Sequence, residues 1–146
     1  MDRQRQKLEI MFSFARRFCY LSMCKRSLQA CIIFPKDCSR VLAIGYNGPA
    51  RGIDHDSCTG EPFHCGCVHA ETNALIKLTD YSPSIMFSMM TPCKLCAAAI
   101  INANCITDYW YDSEYRILDG KHLLEKGGIT THVTIYKRGE LSSEPG

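Results

Sequence analysis

Three side chains of the kind that bind zinc are split between two short stretches: His69 in His69-Ala70-Glu71, and Cys93 and Cys96 in Pro92-Cys93-Lys94-Leu95-Cys96. Any fold of this chain must bring those stretches to one point. His plus two thiolates makes three protein ligands, and a catalytic zinc keeps a fourth position for water. Zinc draws the pKa of such a water toward neutrality. Glu71, two residues after the histidine, is placed to take the water's proton and return it to a leaving amine. The chemistry is hydrolytic deamination at an amidine-like carbon. A helix over 68–80 puts His69 in its first turn, where free N–H groups can hold a base carbonyl. Pro92 suits the start of a second helix, and Cys93 and Cys96, three apart, share one of its faces. A closed structural zinc needs a fourth ligand, which this motif does not supply.

The rest of the composition sets bounds. A chain of 146 residues, 46% hydrophobic and 22% charged, is expected to form one domain over 1–146 with a proper core. A net charge of +2 argues against a nucleic-acid partner. No apolar run approaches membrane-spanning length, and the start runs into an amphipathic segment. Ten cysteines then read as thiols for metal in a reducing cytoplasm rather than as a disulfide framework.

Along the chain, apolar residues recur at helical period over 5–23, followed by the basic turn Cys24-Lys25-Arg26-Ser27. Buried strands are expected at 28–34 and 41–46, joined as an antiparallel hairpin. Residues 47–52 form a glycine-rich loop leaving a strand end. Residues 53–67 lack hydrophobic pattern but carry His55, Cys58, His64, Cys65 and Cys67. A loop of that length calls for a tether. Cys58, Cys65 and Cys67 are candidates for a second, structural metal, with Cys24, His55 or His64 as the fourth ligand. Free thiols and surface histidines are the competing reading. Helices are then expected at 68–79, 93–103 and 116–126, strands at 84–90, 105–111 and 129–136, and a frayed tail from 137 to 146. Strand–helix–strand connections imply parallel neighbours. The expected fold is α/β, three layers (α/β/α), with a five-stranded mixed sheet and the metal at two helix N-termini.

H-x-E followed by P-C-x-x-C is the pattern of zinc nucleobase deaminases. His69-Ala70-Glu71-Thr72-Asn73-Ala74-Leu75, Pro92-Cys93-Lys94-Leu95-Cys96-Ala97-Ala98-Ala99-Ile100 and Gly45-Tyr46-Asn47-Gly48-Pro49-Ala50-Arg51-Gly52 together resemble the cytidine/deoxycytidylate deaminase superfamily, most closely its deoxycytidylate (dCMP) deaminases, including short phage forms. Tyr111-Asp112-Ser113-Glu114-Tyr115-Arg116 is similar to a further family segment. The likeness spans about residues 8–136. It implies the cytidine-deaminase-like fold, His69, Cys93 and Cys96 on catalytic Zn2+, and Glu71 as proton shuttle. It also implies the Ala70 backbone on the pyrimidine carbonyl, Asn47 on the sugar 3′-hydroxyl, and Arg26, Tyr115 and Arg116 near the 5′-phosphate. The loop Gly45, Asn47, Gly48, Arg51 and Gly52 matches the family's effector segment, although Pro49 stands one position early. Where the family often has Val-Gly-Ala, this chain has Leu28-Gln29-Ala30.

The implied reaction is dCMP to dUMP and ammonia, supplying thymidylate synthesis, in a homo-oligomer that is hexameric by family resemblance. Activation by dCTP and inhibition by dTTP follow from the same likeness, with Mg2+ only if a triphosphate effector binds. The host cytoplasm is the expected location if the chain is phage-encoded. The runner-up substrate is dCTP or a modified deoxycytidine nucleotide. The competing class is a zinc-stabilised nucleotide-sensing module, which loss of Glu71 would favour.

Overall fold

A computed structural model describes residues 2–62 and 65–136 of the chain. Helix α1 (Arg3–Phe18) opens the fold; the Asp2 side chain accepts from the Arg5 N–H as its N-cap, while Arg16 and Arg17 stand in its last turn. Capping at Asp2 starts the helix two residues before the expected 5, and a 3-10 turn at Cys19–Leu21 ends it short of 23. Strands β1 (Ala30–Pro35) and β2 (Ala43–Tyr46) form the expected antiparallel hairpin. Then come α2 (Ala70–Lys77), β3 (Ser84–Met90), α3 (Lys94–Ala103), β4 (Ile106–Ser113), α4 (Asp119–Lys126) and β5 (Thr130–Val133). Most of these elements start one to three residues later than the sequence pattern suggests, β3 matches its expected bounds, and β1 and β4 end slightly beyond theirs. The expected tail, 137–146, lies outside the described residues.

The five strands pair in the order β2-β1-β3-β4-β5. β1 is antiparallel to both neighbours, and β3, β4 and β5 run parallel, so the sheet is mixed as expected. The β2–α2–β3 crossover steps over β1, so β3 lies beside β1 rather than beside β2. Alternation along the strands divides two cores. Ile32, Phe34, Ile85 and Phe87 face α1, where Leu8, Phe12 and Ala15 meet them. Cys31, Ile33, Met86, Tyr109 and Tyr111 face the other way, onto Ala70 and Ala74 of α2, Ala97 and Ile100 of α3, and Leu124 of α4. Full burial of each large side chain is worth about 1.5–3 kcal/mol, so the two faces together hold the three layers.

One ion pair crosses the α1 core. Arg16, 3% exposed, clamps Asp112 of β4 through two hydrogen bonds of 2.8 and 2.9 Å. The sheet partner that neutralises it comes from far along the chain.

This topology places the chemistry. β2 and β3 point the same way, so their carboxyl ends, which lead to α2 and α3, lie on one edge. β1 begins at that edge and β4 ends there. The segments before Ala30, after Tyr46, after Met90 and after Ser113 therefore meet.

Candidate active site

His69 and Cys93 are N-caps, of α2 and α3 respectively, rather than first-turn residues. Their extended backbones turn the side chains out of the helix axes and toward one another. His69 Nδ1 lies 3.5 Å from Cys93 Sγ and 3.4 Å from Cys96 Sγ. All three ligand atoms fall within 4.8 Å of one another. Cys93 Sγ also accepts from the Cys96 N–H at 3.4 Å, as a capping side chain does. One imidazole and two thiols converging this closely fit a zinc ion in donor type and number. Gly120 sets part of the geometry. A Cβ there would sit 2.0 Å from the Pro92 carbonyl oxygen, so only glycine lets α4 pack against the start of α3. The residue that weakens α4 in the sequence is required by the site.

The cluster is polarised. Hydrogen bonding from Cys96, then contact with His69, brings the Cys93 thiol down to about 4. Cys96, facing that thiolate and buried, is pushed up. His69 is raised, first by its hydrogen bond with Cys93.

Glu71, in the first turn of α2, is 8% exposed. Its Oε1 accepts from the Ser88 hydroxyl at 2.7 Å and lies 3.3 Å from the Tyr109 hydroxyl. Tyr109 is closer to the Met90 carbonyl, at 2.8 Å, so its single proton goes there and Ser88 is the donor to Glu71. Ser88 and Tyr109 escaped the sequence reading. Their positions on β3 and β4 look like ordinary strand residues, and only sheet register aims them at α2.

A cavity of about 400 Å³ opens over the cluster. His69, Ala70, Glu71 and Cys93 line one end of it, and Arg26, Asn47 and Tyr115 line it as well. Arg26 Nη2 donates to the Tyr115 hydroxyl at 3.2 Å. The Asn47 side chain accepts from the Gln29 N–H at 2.9 Å and donates to the Ser27 carbonyl at 2.7 Å, which ties the start of β1 to the end of β2. Gln29 also lines the cavity, a residue the motif comparison marked only as a departure. Arg116 is not among the lining residues.

The glycine-rich loop separates into parts. Gly45 is a packing residue, because a Cβ would stand 2.7 Å from the Ala74 nitrogen of α2. Gly48 pairs with Val68 through two backbone hydrogen bonds of 3.2 and 2.7 Å. Gly52 takes φ +82 and Arg51 is exposed. At the cavity wall, Cys24, Cys58, Cys65 and Cys67 form a second thiol cluster, of which Cys65 and Cys67 line the cavity. Cys24 fills the fourth place; His55 is exposed on a 3-10 turn and stays outside the cluster, and His64 lies outside the described residues. The Lys25 N–H, then that of Gly60, bring the Cys58 thiol down to about 7, whereas burial raises Cys67.

Comparison with known proteins agrees with this geometry. Residues 5–111 match the sequence pattern described as the cytidine and deoxycytidylate deaminase zinc-binding region. A deoxycytidylate deaminase of Pongo abelii is 29% identical over 130 residues, covering 77% of this chain and 70% of that protein. The dCMP deaminase of cyanophage S-TIM5 is 27% identical. Its apo structure covers 92% of this chain and 100% of its own, with a TM-score of 0.74. Its complex with dCMP and dUMP gives a TM-score of 0.76 over 92% of this chain and 99% of its own.

Proposed function

The chain belongs to the cytidine and deoxycytidylate deaminase family, and on that premise we propose that it hydrolyses dCMP to dUMP and ammonia. The observation that carries this reading is the buried Glu71 carboxylate, held by Ser88 at 2.7 Å, in the same cavity as the His69–Cys93–Cys96 cluster. His69, Cys93 and Cys96 are the residues that would hold catalytic zinc. When bound, the ion supplies Lewis acidity that lets a water ionise near neutral pH.

The chain's own groups do the rest. The Ala70 N–H, at the first position of α2 where no intrahelical acceptor precedes it, holds the pyrimidine carbonyl. Glu71 takes the proton of the attacking water and passes it to ring N3, then takes the remaining proton of the hydroxyl now on C4 and gives it to the amine that leaves C4. Ser88 keeps one carboxylate oxygen engaged, so the other faces the ring. Asn47 positions the sugar 3′-hydroxyl. Arg26 and Tyr115, already joined at 3.2 Å, receive the 5′-phosphate, for which a guanidinium supplies both charge and a planar fork.

A triphosphate substrate has one observation in its favour. A neighbouring cavity of about 710 Å³ shares Arg26, Ser27, Gln29 and Met90 with the first and adds Lys25. A nucleotide sensor is the weaker reading, since a sensor has no use for a buried, hydrogen-bonded Glu71. Supply of dUMP to thymidylate synthesis, control by dCTP and dTTP through the loop of Gly48, Arg51 and Gly52, Mg2+ carried by such an effector, and a hexamer belong to the same proposal. So does a cytoplasmic location; no helix among the described residues is long and apolar enough to cross a membrane.

The test is ammonia release from dCMP, dCTP and deoxycytidine by zinc-loaded protein, with and without dCTP or dTTP as effectors. The reading predicts preference for dCMP. Preference for dCTP would move the substrate assignment to the larger, two-cavity site, and no turnover of any of the three would favour the sensor.

A further inference from the structure

The four-cysteine cluster lies outside the machinery just described, and its surroundings are unusual. Cys24, Cys58 and Cys65 are buried at 7%, 1% and 9% exposure, yet among the described residues the hydrophobic partner packed on them is Cys67. A cysteine that merely fills a core packs against aliphatic or aromatic groups; among the described residues these thiols pack on each other. They are also unbonded, with Cys24 Sγ 3.8 Å from Cys58 Sγ. A disulfide needs about 2.05 Å. Four sulfurs around zinc at about 2.3 Å stand about 3.8 Å apart along each tetrahedral edge. All four Sγ atoms fall within 4.8 Å of one another.

The local backbone suits a thiolate. The Lys25 N–H points at Cys58 Sγ at 3.4 Å, the kind of outer hydrogen bond that steadies a metal ligand. Lys25 and Arg26 follow Cys24 directly, so cationic groups flank a centre that would carry net negative charge. Gly60 packs its α-carbon against Lys25, where an added Cβ would lie 3.4 Å from the lysine Cβ.

We propose that Cys24, Cys58, Cys65 and Cys67 bind one zinc ion as a closed tetrathiolate site, and that this site fixes the Arg26 wall of the substrate cavity. Binding releases the thiol protons to solvent and leaves no position for water. The second half of the inference rests on the dCMP reading above. It follows from chain connectivity. Arg26 and Ser27 come just after Cys24, Cys65 and Cys67 themselves line the cavity, and neither segment belongs to a strand or an α-helix. Clasping the two at their sulfurs substitutes for the core that the loop lacks.

Metal analysis of purified protein, under reducing conditions and by mass spectrometry of intact chains, tests the site without reference to activity. Wild type is expected to hold two zinc ions per chain, and Cys93→Ser to keep one. Cobalt substituted into Cys93→Ser should show the thiolate-to-metal charge transfer of a four-sulfur site. Cys58→Ser, which lines no part of the cavity, should hold one zinc and raise KM for dCMP by about tenfold or more, with kcat shifted less and deoxycytidine turnover less affected than dCMP turnover. One zinc in wild type with none in Cys93→Ser would overturn the site, as would two disulfides among the four cysteines. Should Cys58→Ser fail to fold, the cobalt spectrum of Cys93→Ser still decides. Two zinc ions without turnover of dCMP would leave the site standing and sink the functional reading; one zinc with dCMP turnover would do the reverse. Two sites with an unchanged KM in Cys58→Ser would contradict the link to Arg26.

Discussion

Two thiol clusters lie within one small domain and differ in how they are built. His69 and Cys93 cap α2 and α3, and Cys96 stands in the first turn of α3, all anchored by helices that the sheet core holds. Cys24, Cys58, Cys65 and Cys67 stand on segments that contribute little else to the core. The first cluster is fixed by the fold and meets a cavity through His69 and Cys93, so it can do chemistry. The second has three buried cysteines and one half-buried, and with the proposed zinc it would fix the chain around it. In the proposed arrangement scaffold and metal exchange roles between the two: rigid elements make an open site, and a closed site would make irregular chain rigid.

The largest effects break the comparison outright. Cys93→Ser should abolish ammonia release while the second zinc stays, and brief dialysis against a chelator should do likewise, stripping the exposed His69 site before the buried one. Simultaneous loss of both ions, followed by metal analysis, would deny that the sites differ in closure. Arg26→Ala probes the seam between the clusters. A charged hydrogen bond to phosphate is worth about 1.5–3 kcal/mol, so KM for dCMP should rise about 10–100-fold, with deoxycytidine little affected. Equal losses for both substrates in steady-state assays would remove the phosphate assignment. Ser88→Ala frees the Glu71 oxygen that it holds at 2.7 Å. It should lower kcat about fivefold, at the scale of about 1 kcal/mol for one hydrogen bond, with both zinc ions retained.

The smallest effect lies away from both clusters and sets the background. Asp108 accepts from His132 at 2.9 Å across β4 and β5. Its carboxyl sits below the usual 3.8 although burial opposes this, because Thr107 and His132 donate to it. A depressed carboxyl stabilises the fold fully above 3.8 and loses that contribution as pH falls through its folded value. Asp108→Asn should therefore cost less than about 1 kcal/mol at neutral pH and nothing in strong acid, as read from denaturant midpoints at several pH values.

The layered fold and its mixed sheet were legible because apolar runs of strand length alternate with helical patterns. Boundaries were less so: spacing places His69 and Cys93 near helix starts but cannot tell an N-cap from a first-turn residue. That difference matters, because the extended backbone of a cap is what turns both side chains toward each other. The four loop and turn cysteines were legible as a group by type. Their fourth member was not, since Cys24, His55 and His64 are equivalent as sequence and only the packing of 24–27 against 58–60 selects Cys24. Ser88, Tyr109 and Gln29 carry no signature at all. Their placement depends on which strands pair and in what register, a long-range outcome that local pattern does not encode. Gly120 teaches the same lesson from the other side, since its cost to α4 is offset by a contact with Pro92 that no local reading can see.

On the proposed mechanism Glu71 moves the proton in a zinc-dependent deamination of dCMP. The most direct measurement is single-turnover conversion of dCMP by wild type and Glu71→Gln, each with its zinc content determined. The account predicts dUMP and ammonia from wild type, and from Glu71→Gln a rate lower by about 10²–10⁴-fold with the metal retained. Turnover by Glu71→Gln at the wild-type rate would contradict it.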